Sequence, residues 1–273
     1  MSILSAIILG AVQGLTEFLP VSSSGHLVLL QKIFGISEPA MFFDTMVHAG
    51  TLLAVFVVLR RDIWAILRRP VQPLTGWLIL ATVPAVVAAL LLGDAIEHAF
   101  ESGQFLGFCF LATAALLVTA ELLSRRARFT RGLAKAEDMR WLDAVVIGVL
   151  QAIAIAPGLS RSGATISGAL FRKLDREFAA RFSFLMSIPA ILGAVVLQVK
   201  DMVAGDAAAD AVNGSIGVVP VIAGSLSAAI VGFFAVKFML KIIREKSLFG
   251  FAIYTAALGT LVIIDQFATH LVF

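Results

Sequence analysis

Six apolar segments, at about 42–59, 71–93, 105–123, 182–199, 217–236 and 248–270, approach the length a helix needs to cross a bilayer. That length is roughly 20 residues. A chain of 273 residues has no soluble core large enough to hide them. Its composition agrees, at 60% hydrophobic and 14% charged with a mean hydropathy of +0.99, where a soluble domain carries about 25% charged residues. The fold class this predicts is an all-α polytopic membrane protein. Met1 to Leu9 has no Lys or Arg ahead of its apolar stretch and no small-residue cleavage site after it, so no cleaved signal is expected. The single cysteine, Cys109 in "FCFLATAALLV", reads as a packed thiol inside a spanning helix.

The net charge of +3 matters less than where the positive residues fall. Arg60, Arg61, Arg68 and Arg69 follow the first span, and Arg125, Arg126, Arg128, Arg131, Lys135 and Arg140 follow the third. Arg172, Lys173, Arg176 and Arg181 precede the fourth, and Lys237, Lys241, Arg244 and Lys246 follow the fifth. These four clusters hold 18 of the 21 Lys and Arg residues, leaving Lys32, Arg161 and Lys200. Placing all four in the cytoplasm satisfies the positive-inside rule, and the acidic connections "GDAIEHAFESG" and "KDMVAGDAAADAVNGS" then face outward. Basic residues strung along loops at membrane borders make a poor nucleic-acid surface.

Two segments repeat at an offset of 138 residues: "GAVQGLTEFLPVSSSG" from Gly10 to Gly25 and "GVLQAIAIAPGLSRSG" from Gly148 to Gly163. Gly10, Gln13, Ser22, Ser24 and Gly25 fall on Gly148, Gln151, Ser160, Ser162 and Gly163 without a gap, and three apolar spans follow each segment. Neither segment reads as a full crossing. Pro20 and Pro157 disfavour helix at the residues before them, and Gly25 and Gly163 let the backbone turn. The expected shape is a helix–loop–helix hairpin that enters the membrane and leaves on the same side, with its irregular tip shielded by protein or lining a wet cavity. Three spans is an odd number, so the second repeat begins on the opposite side. The expectation is a single membrane domain, 1–273, of two inverted repeats. Repeat one covers about 1–124 with a re-entrant hairpin at 3–34, and repeat two about 141–273 with one at 142–172. Hairpin tips that meet inside the membrane are how inverted-repeat proteins build a site.

Opposed tips would bring Glu17, Ser22, Ser23, Ser24 and His26 towards Ser160, Arg161, Ser162 and Thr165. Ionisable side chains at that depth are costly and mark functional sites. Arg161 is the only Lys or Arg in either hairpin motif. It keeps its charge, and its planar fork suits phosphate oxygens. Hydroxyls and backbone N–H groups at the starts of the second hairpin helices would add donors for an anion. Against this stand a structural Glu17–Arg161 ion pair and simple capping by Ser22 and Ser24. His26 closes a cluster with carboxylate and hydroxyls. His48, His98 and His270 have no such company and read as structural or solvent-facing. Asp44 and Asp143 read as carboxylates at span borders, and the small-residue spacing in "GAVQG" is a weak packing signal.

These residues resemble the undecaprenyl-pyrophosphate phosphatase family, known also for bacitracin resistance. The likeness runs over essentially the whole chain and is strongest in "QGLTEFLPVSSSGH" and "PGLSRSGAT". It implies an enzyme of the bacterial inner membrane, open to the periplasm, that hydrolyses undecaprenyl pyrophosphate to undecaprenyl phosphate and phosphate. That step recycles the lipid carrier of cell-wall synthesis. The implied cofactor is a divalent metal, Mg²⁺ or Ca²⁺. The implied partners are the polyprenyl pyrophosphate lipid and the bilayer, with no nucleic acid and with a homodimer left open. Carried over by position, Glu17 is catalytic and a metal ligand, Ser23, His26 and Arg161 are catalytic, and Ser160 and Thr165 bind phosphate. Gln13 stands where many members have Glu; Gln13, Ser22, Ser24 and Ser162 complete the expected substrate-binding set. A second superfamily of lipid phosphatases, marked by PSGH and SRx5Hx3D, fails here, because Ser167 stands where its second His belongs.

In the expected chemistry Arg161, Ser160 and Thr165 hold phosphate oxygens, and Glu17 ligates a metal or acts as base. Ser23 attacks with help from His26, or His26 itself attacks phosphorus. The competing class is a transporter or flippase for a polyprenyl phosphate or another anionic lipid. Such a carrier needs an anion site but no base and nucleophile beside it.

Overall fold

Pro, Gly and Ser breaks cut the apolar sequence into helices alone in a computed structural model that describes residues 1–36, 41–130, 136–203 and 217–273, with no strand among them. In chain order these are α1 (Ile3–Thr16), α2 (Ser23–Ile33), α3 (Met41–Val58), α4 (Arg60–Arg68), α5 (Pro73–Ser102) and α6 (Leu106–Thr130). Then follow α7 (Trp141–Ile153), α8 (Arg161–Phe171), α9 (Arg176–Val203), α10 (Val218–Glu245) and α11 (Phe249–Ile264), the last continued by a short π-helical turn. Among the described residues, five helices (α5, α6, α9, α10 and α11) are long and apolar enough to cross a membrane, and α3 with α4 makes a sixth if that bent pair is one span. Large apolar side chains on their outer faces are exposed, among them Leu90, Leu91, Val196 and Phe234. That is the surface of a polytopic membrane protein, whose outer solvent is lipid.

The hairpin segments break where the sequence breaks. α1 stops at Thr16, three residues before the Leu19–Pro20 bond, and α7 stops at Ile153 ahead of Pro157. Both second arms start with the same cap. The Gly25 N–H donates to Ser22 Oγ (3.3 Å) and the Gly163 N–H to Ser160 Oγ (3.0 Å), satisfying a helix-start donor. Ser22 holds φ at +69°, a left-handed conformation that non-glycine residues seldom take. The tips touch. Ser162 Oγ donates to the Leu19 carbonyl (2.9 Å), and the Gly158 N–H donates to Ser24 Oγ (3.4 Å).

Helix packing rests on close backbone approach. A Cβ on Gly10 would lie 2.1 Å from the Gly224 carbonyl oxygen, and one on Gly14 would lie 2.6 Å from that of Ala228. The weak "GAVQG" signal is therefore the seat of α10 on α1. α7 packs on α5 in the other half of the chain. α6 and α11 run antiparallel, with Gly107 beside Ile263 at one end and the Arg125 guanidinium over the Phe249 ring (4.9 Å) at the other. α3 and α9 are also antiparallel. Arg181 near the start of α9 reaches Asp62 just beyond α3 (3.1 Å), while Asp44 near the start of α3 lines a common cavity with Ala194 far along α9.

Two sequence expectations change. The stretch from Arg60 to Arg68 is a helix bent 77° from α3, not a loop, with Ile63 and Ile66 packed inward and Trp64 and Leu67 outward. Most other basic residues likewise ride on helix ends, and ion pairs gather them at one end of the molecule. Glu121 accepts from Arg125 Nε (2.7 Å), Arg176 Nη1 (2.8 Å) and the Leu248 N–H (3.0 Å). Arg176 also donates to the carbonyls of Ile243 (2.8 Å) and Lys246 (2.9 Å). Arg181 and Arg244 both meet Glu177, and Arg172 meets Asp143. Arg131, Lys135 and most of the second acidic connection lie outside the described residues.

Candidate active site

Where the hairpin tips meet, Glu17 sits at the end of the α1 arm, 5% exposed. A carboxylate so desolvated must be compensated, and four side chains do it. Arg161, the first residue of α8, donates to Oε1. Gln13, one helical turn back on α1, donates from Nε2 to Oε2 (2.7 Å), and Ser23 Oγ donates to the same oxygen (2.6 Å). From α3, His48 brings Nε2 to 3.5 Å of Oε2. Glu17 is thus the hub joining α1, α2, α3 and α8.

A cavity of about 1000 Å³ rises from this hub. It runs past Ser22–Ser24 and Ser160–Ser162 to Lys32, Gly35 and Ile36 at the far end of α2 and to Val272. α9 starts at the ion-paired basic end and lines the cavity only beyond its middle, at Ala190, Ile191 and Ala194. The mouth therefore lies at the opposite end from the basic clusters. One flank is polar, with Gln31, Asp44, Thr45 and His48, and Gln31 Nε2 donates to Asp44 Oδ1 (2.6 Å). The other flank is apolar.

Of the ten side chains expected from sequence, seven line this cavity: Glu17, Ser22, Ser23, Ser24, Ser160, Arg161 and Ser162. Gln13, His26 and Thr165 stand behind its wall. Thr165 Oγ1 shares a hydrogen bond with Ser183 Oγ of α9 (2.6 Å) and donates back to the Arg161 carbonyl (2.9 Å). His26 was expected to face Ser23. Its Nδ1 instead meets the Ser22 carbonyl (2.6 Å), an acceptor only, so Nδ1 carries the proton. Nε2 meets the Tyr254 hydroxyl of α11 (2.7 Å), and the two rings stack with centroids 5.7 Å apart. Both ring nitrogens are engaged away from Ser23, whose own partner is Glu17.

His48 was read as lacking company, and this reading is corrected. It is the imidazole in the cavity wall, and its Nδ1 is held by the Asp44 carbonyl (2.6 Å), which leaves Nε2 turned to Glu17. Asp44 and His48 share one face of an otherwise apolar helix, four residues apart. That spacing, two polar groups on one stripe of a spanning segment, was the available signal. Asp143 behaves differently, accepting from the Arg140 N–H (2.8 Å) and Arg172 Nε (2.6 Å) at the start of α7. It is a helix-start anchor.

Fold and site together define a multi-span helical membrane protein with a charged, hydroxyl-rich cavity between two broken-helix hairpins. The chain belongs to the bacitracin resistance protein BacA family, whose model matches residues 6–261. It is 47% identical to the undecaprenyl-diphosphatase of Carboxydothermus hydrogenoformans, over 98% of this chain and 99% of that one. It is 44% identical to undecaprenyl-diphosphatase 3 of Bacillus cereus, over 98% of each chain. It is also 40% identical to the undecaprenyl-diphosphatase of Methanosphaera stadtmanae, over 97% of this chain and 98% of that one.

Proposed function

We propose that this chain is an undecaprenyl-diphosphatase, releasing phosphate from undecaprenyl diphosphate and returning undecaprenyl phosphate to cell-wall synthesis. The observation that carries the reading is the junction of Arg161, Glu17 and Ser23, built from both hairpins at the base of a cavity. Arg161 supplies a fixed cation for the diphosphate, whose oxygens compete with Glu17 for its fork. Engaging the substrate takes Arg161 from Glu17 and leaves the carboxylate to accept the Ser23 proton along the existing hydrogen bond. Ser23 Oγ then attacks the terminal phosphorus, the P–O bond to the bridging oxygen breaks, and polyprenyl phosphate leaves. Water resolves the phosphoserine. Arg161 and the Ser160 hydroxyl face the charge that spreads over the transferred group, while the Ser162 hydroxyl, which donates to the Leu19 carbonyl, holds the two tips together. His26 contributes from the second layer, holding the start of α2 through the Ser22 carbonyl.

The divalent cation implied by the resemblance is tested by the donors present. Glu17, at the base of the cavity, is a hard oxygen donor suited to Mg²⁺ or Ca²⁺, and the unpartnered Gln13 Oε1 is buried behind the wall next to it. No group of three His, Cys, Asp or Glu side chains able to hold a metal ion occurs among the described residues. These residues fit a cation that takes most of its ligands from diphosphate oxygens and water. When bound it supplies charge neutralisation of the phosphates.

We further infer that the chain is two inverted repeats. Support comes from the antiparallel pairs α3–α9 and α6–α11, the matched caps at Ser22 and Ser160, and the reciprocal packing of α1 on α10 and α7 on α5. With the basic end in the cytoplasm, the cavity opens to the periplasm of an inner membrane. The test is phosphate release from undecaprenyl diphosphate by purified protein in detergent, where no gradient exists. A protein that binds the lipid under these conditions but releases no phosphate is a carrier, and the proposal is then wrong.

A further inference from the structure

The cavity is too large and too one-sided for a diphosphate alone. Its polar groups lie at the base, on α3 and at the far end of α2, whereas the second hairpin turn and α9 contribute an apolar strip. That strip comprises Ala154, Ile155 and Leu159 of the second hairpin turn, with Ala190, Ile191 and Ala194 of α9. On α9 the side chains facing the cavity are small at both ends of one helical turn, and Ala194 stands about 6 Å nearer the mouth than Ala190. Beyond them, the outer face of α9 is greasy and exposed at Leu192 and Val196, and Ile153 is exposed beside the hairpin turn. An amphiphile with an anionic head matches this layout: a cation at the base, an apolar strip leading away, and a lipid-facing surface where the strip ends.

Resting on the function proposed above, we infer that this strip is the channel for the first isoprenoid units of the substrate. The tail leaves Arg161 between the 154–159 turn and the 190–194 turn of α9 and passes sideways into the bilayer. Ala190 and Ala194 set its width. The enzyme can then act without lifting the tail out of the hydrocarbon, and its preference for long over short prenyl diphosphates is decided on α9, away from the phosphate chemistry.

The test compares two substrates, a long polyprenyl diphosphate and the soluble five-carbon isopentenyl diphosphate, on wild-type protein and on Ala190→Phe and Ala194→Trp. Leu261→Trp, on the exposed outer face of α11 away from the strip, is the control. The expected result is a loss of at least tenfold in kcat/KM for the long substrate, with the short substrate and the control changed less than twofold. Equal losses on both substrates, or none on either, would overturn the channel. Should the bulky variants fail to fold, wild-type protein and a prenyl diphosphate with a photoreactive group on its first isoprene unit answer the same question. Cross-links within 154–159 and 190–194 support the channel, and cross-links confined to α3 or α10 reject it. If wild-type protein cleaves neither substrate, the phosphatase reading itself fails and the channel falls with it. Cleavage of both substrates with wrongly placed cross-links overturns the channel alone.

Discussion

Arg161→Lys keeps the positive charge at the base of the cavity but removes the planar fork. Arg161 has 19% of its side chain exposed and Glu17 3%, so the bond between them is largely screened from water. A hydrogen bond to a charged group in such a place is worth about 1.5–3 kcal/mol. Losing a donor aimed at charge that develops in a transition state costs about 10²–10³ in rate. A hundredfold fall in kcat/KM is therefore expected, roughly 2.7 kcal/mol, with little loss of thermal stability because the lysine still neutralises Glu17. Arg161→Met is the opposite case. It leaves Glu17 buried without its cation, a change that costs about 3–5 kcal/mol of stability. Adding Glu17→Gln to it should restore most of that stability and none of the turnover. The assay is phosphate release from undecaprenyl diphosphate in detergent, paired with thermal unfolding of the same samples. Arg161→Lys protein with more than a third of wild-type turnover refutes the clamp, and so does recovery of activity in the double variant.

The remaining expectations concern the groups around Glu17 and the orientation of the chain. Ser23→Ala and Glu17→Gln should each abolish most turnover, and the pair should be little worse than either, since one hydrogen bond joins them; additive losses would separate their roles. His48→Leu should lower kcat about tenfold, near 1.4 kcal/mol, and His48→Gln should recover part of it; an unchanged rate in His48→Leu would leave His48 as a packing residue. Cysteines at Val71, 98% exposed beside α4, and at Leu271, 83% exposed near the cavity mouth, should label oppositely in intact cells in a Cys109→Ala background. Only Leu271→Cys should react with an impermeant thiol reagent; the reverse pattern would turn the molecule over.

Local chemistry was readable in the sequence, and long-range partners were not. Pro20, Pro157 and the Ser-x-x-Gly caps announce both hairpins, because a helix break and its next start are decided within a few residues. Arg161 and Glu17 stand out because lipid makes any charge conspicuous. His48 does not, since its meaning depends on Glu17, 31 positions away on another helix. Tyr254 is 228 positions from the His26 ring it stacks on, and no spacing rule spans that distance. The bend after Val58 was missed for another reason: an apolar run followed by Arg60 and Arg61 looks the same whether the helix stops or turns along the interface.

The web of ion pairs around Glu121, Arg176 and Glu177 has a mechanical meaning. It ties α6, α9, α10 and the start of α11 into one plate at the basic end, while α4 is clipped to the same plate through Asp62 and Arg181. Opening a passage at that end would mean breaking several charge pairs at once, in helices packed against one another. The other end carries the cavity and no comparable lacing among the described residues. Breathing motions are thereby steered to the mouth, so the molecule is expected to flex like a cup with a welded base, its rim moving while the laced end holds.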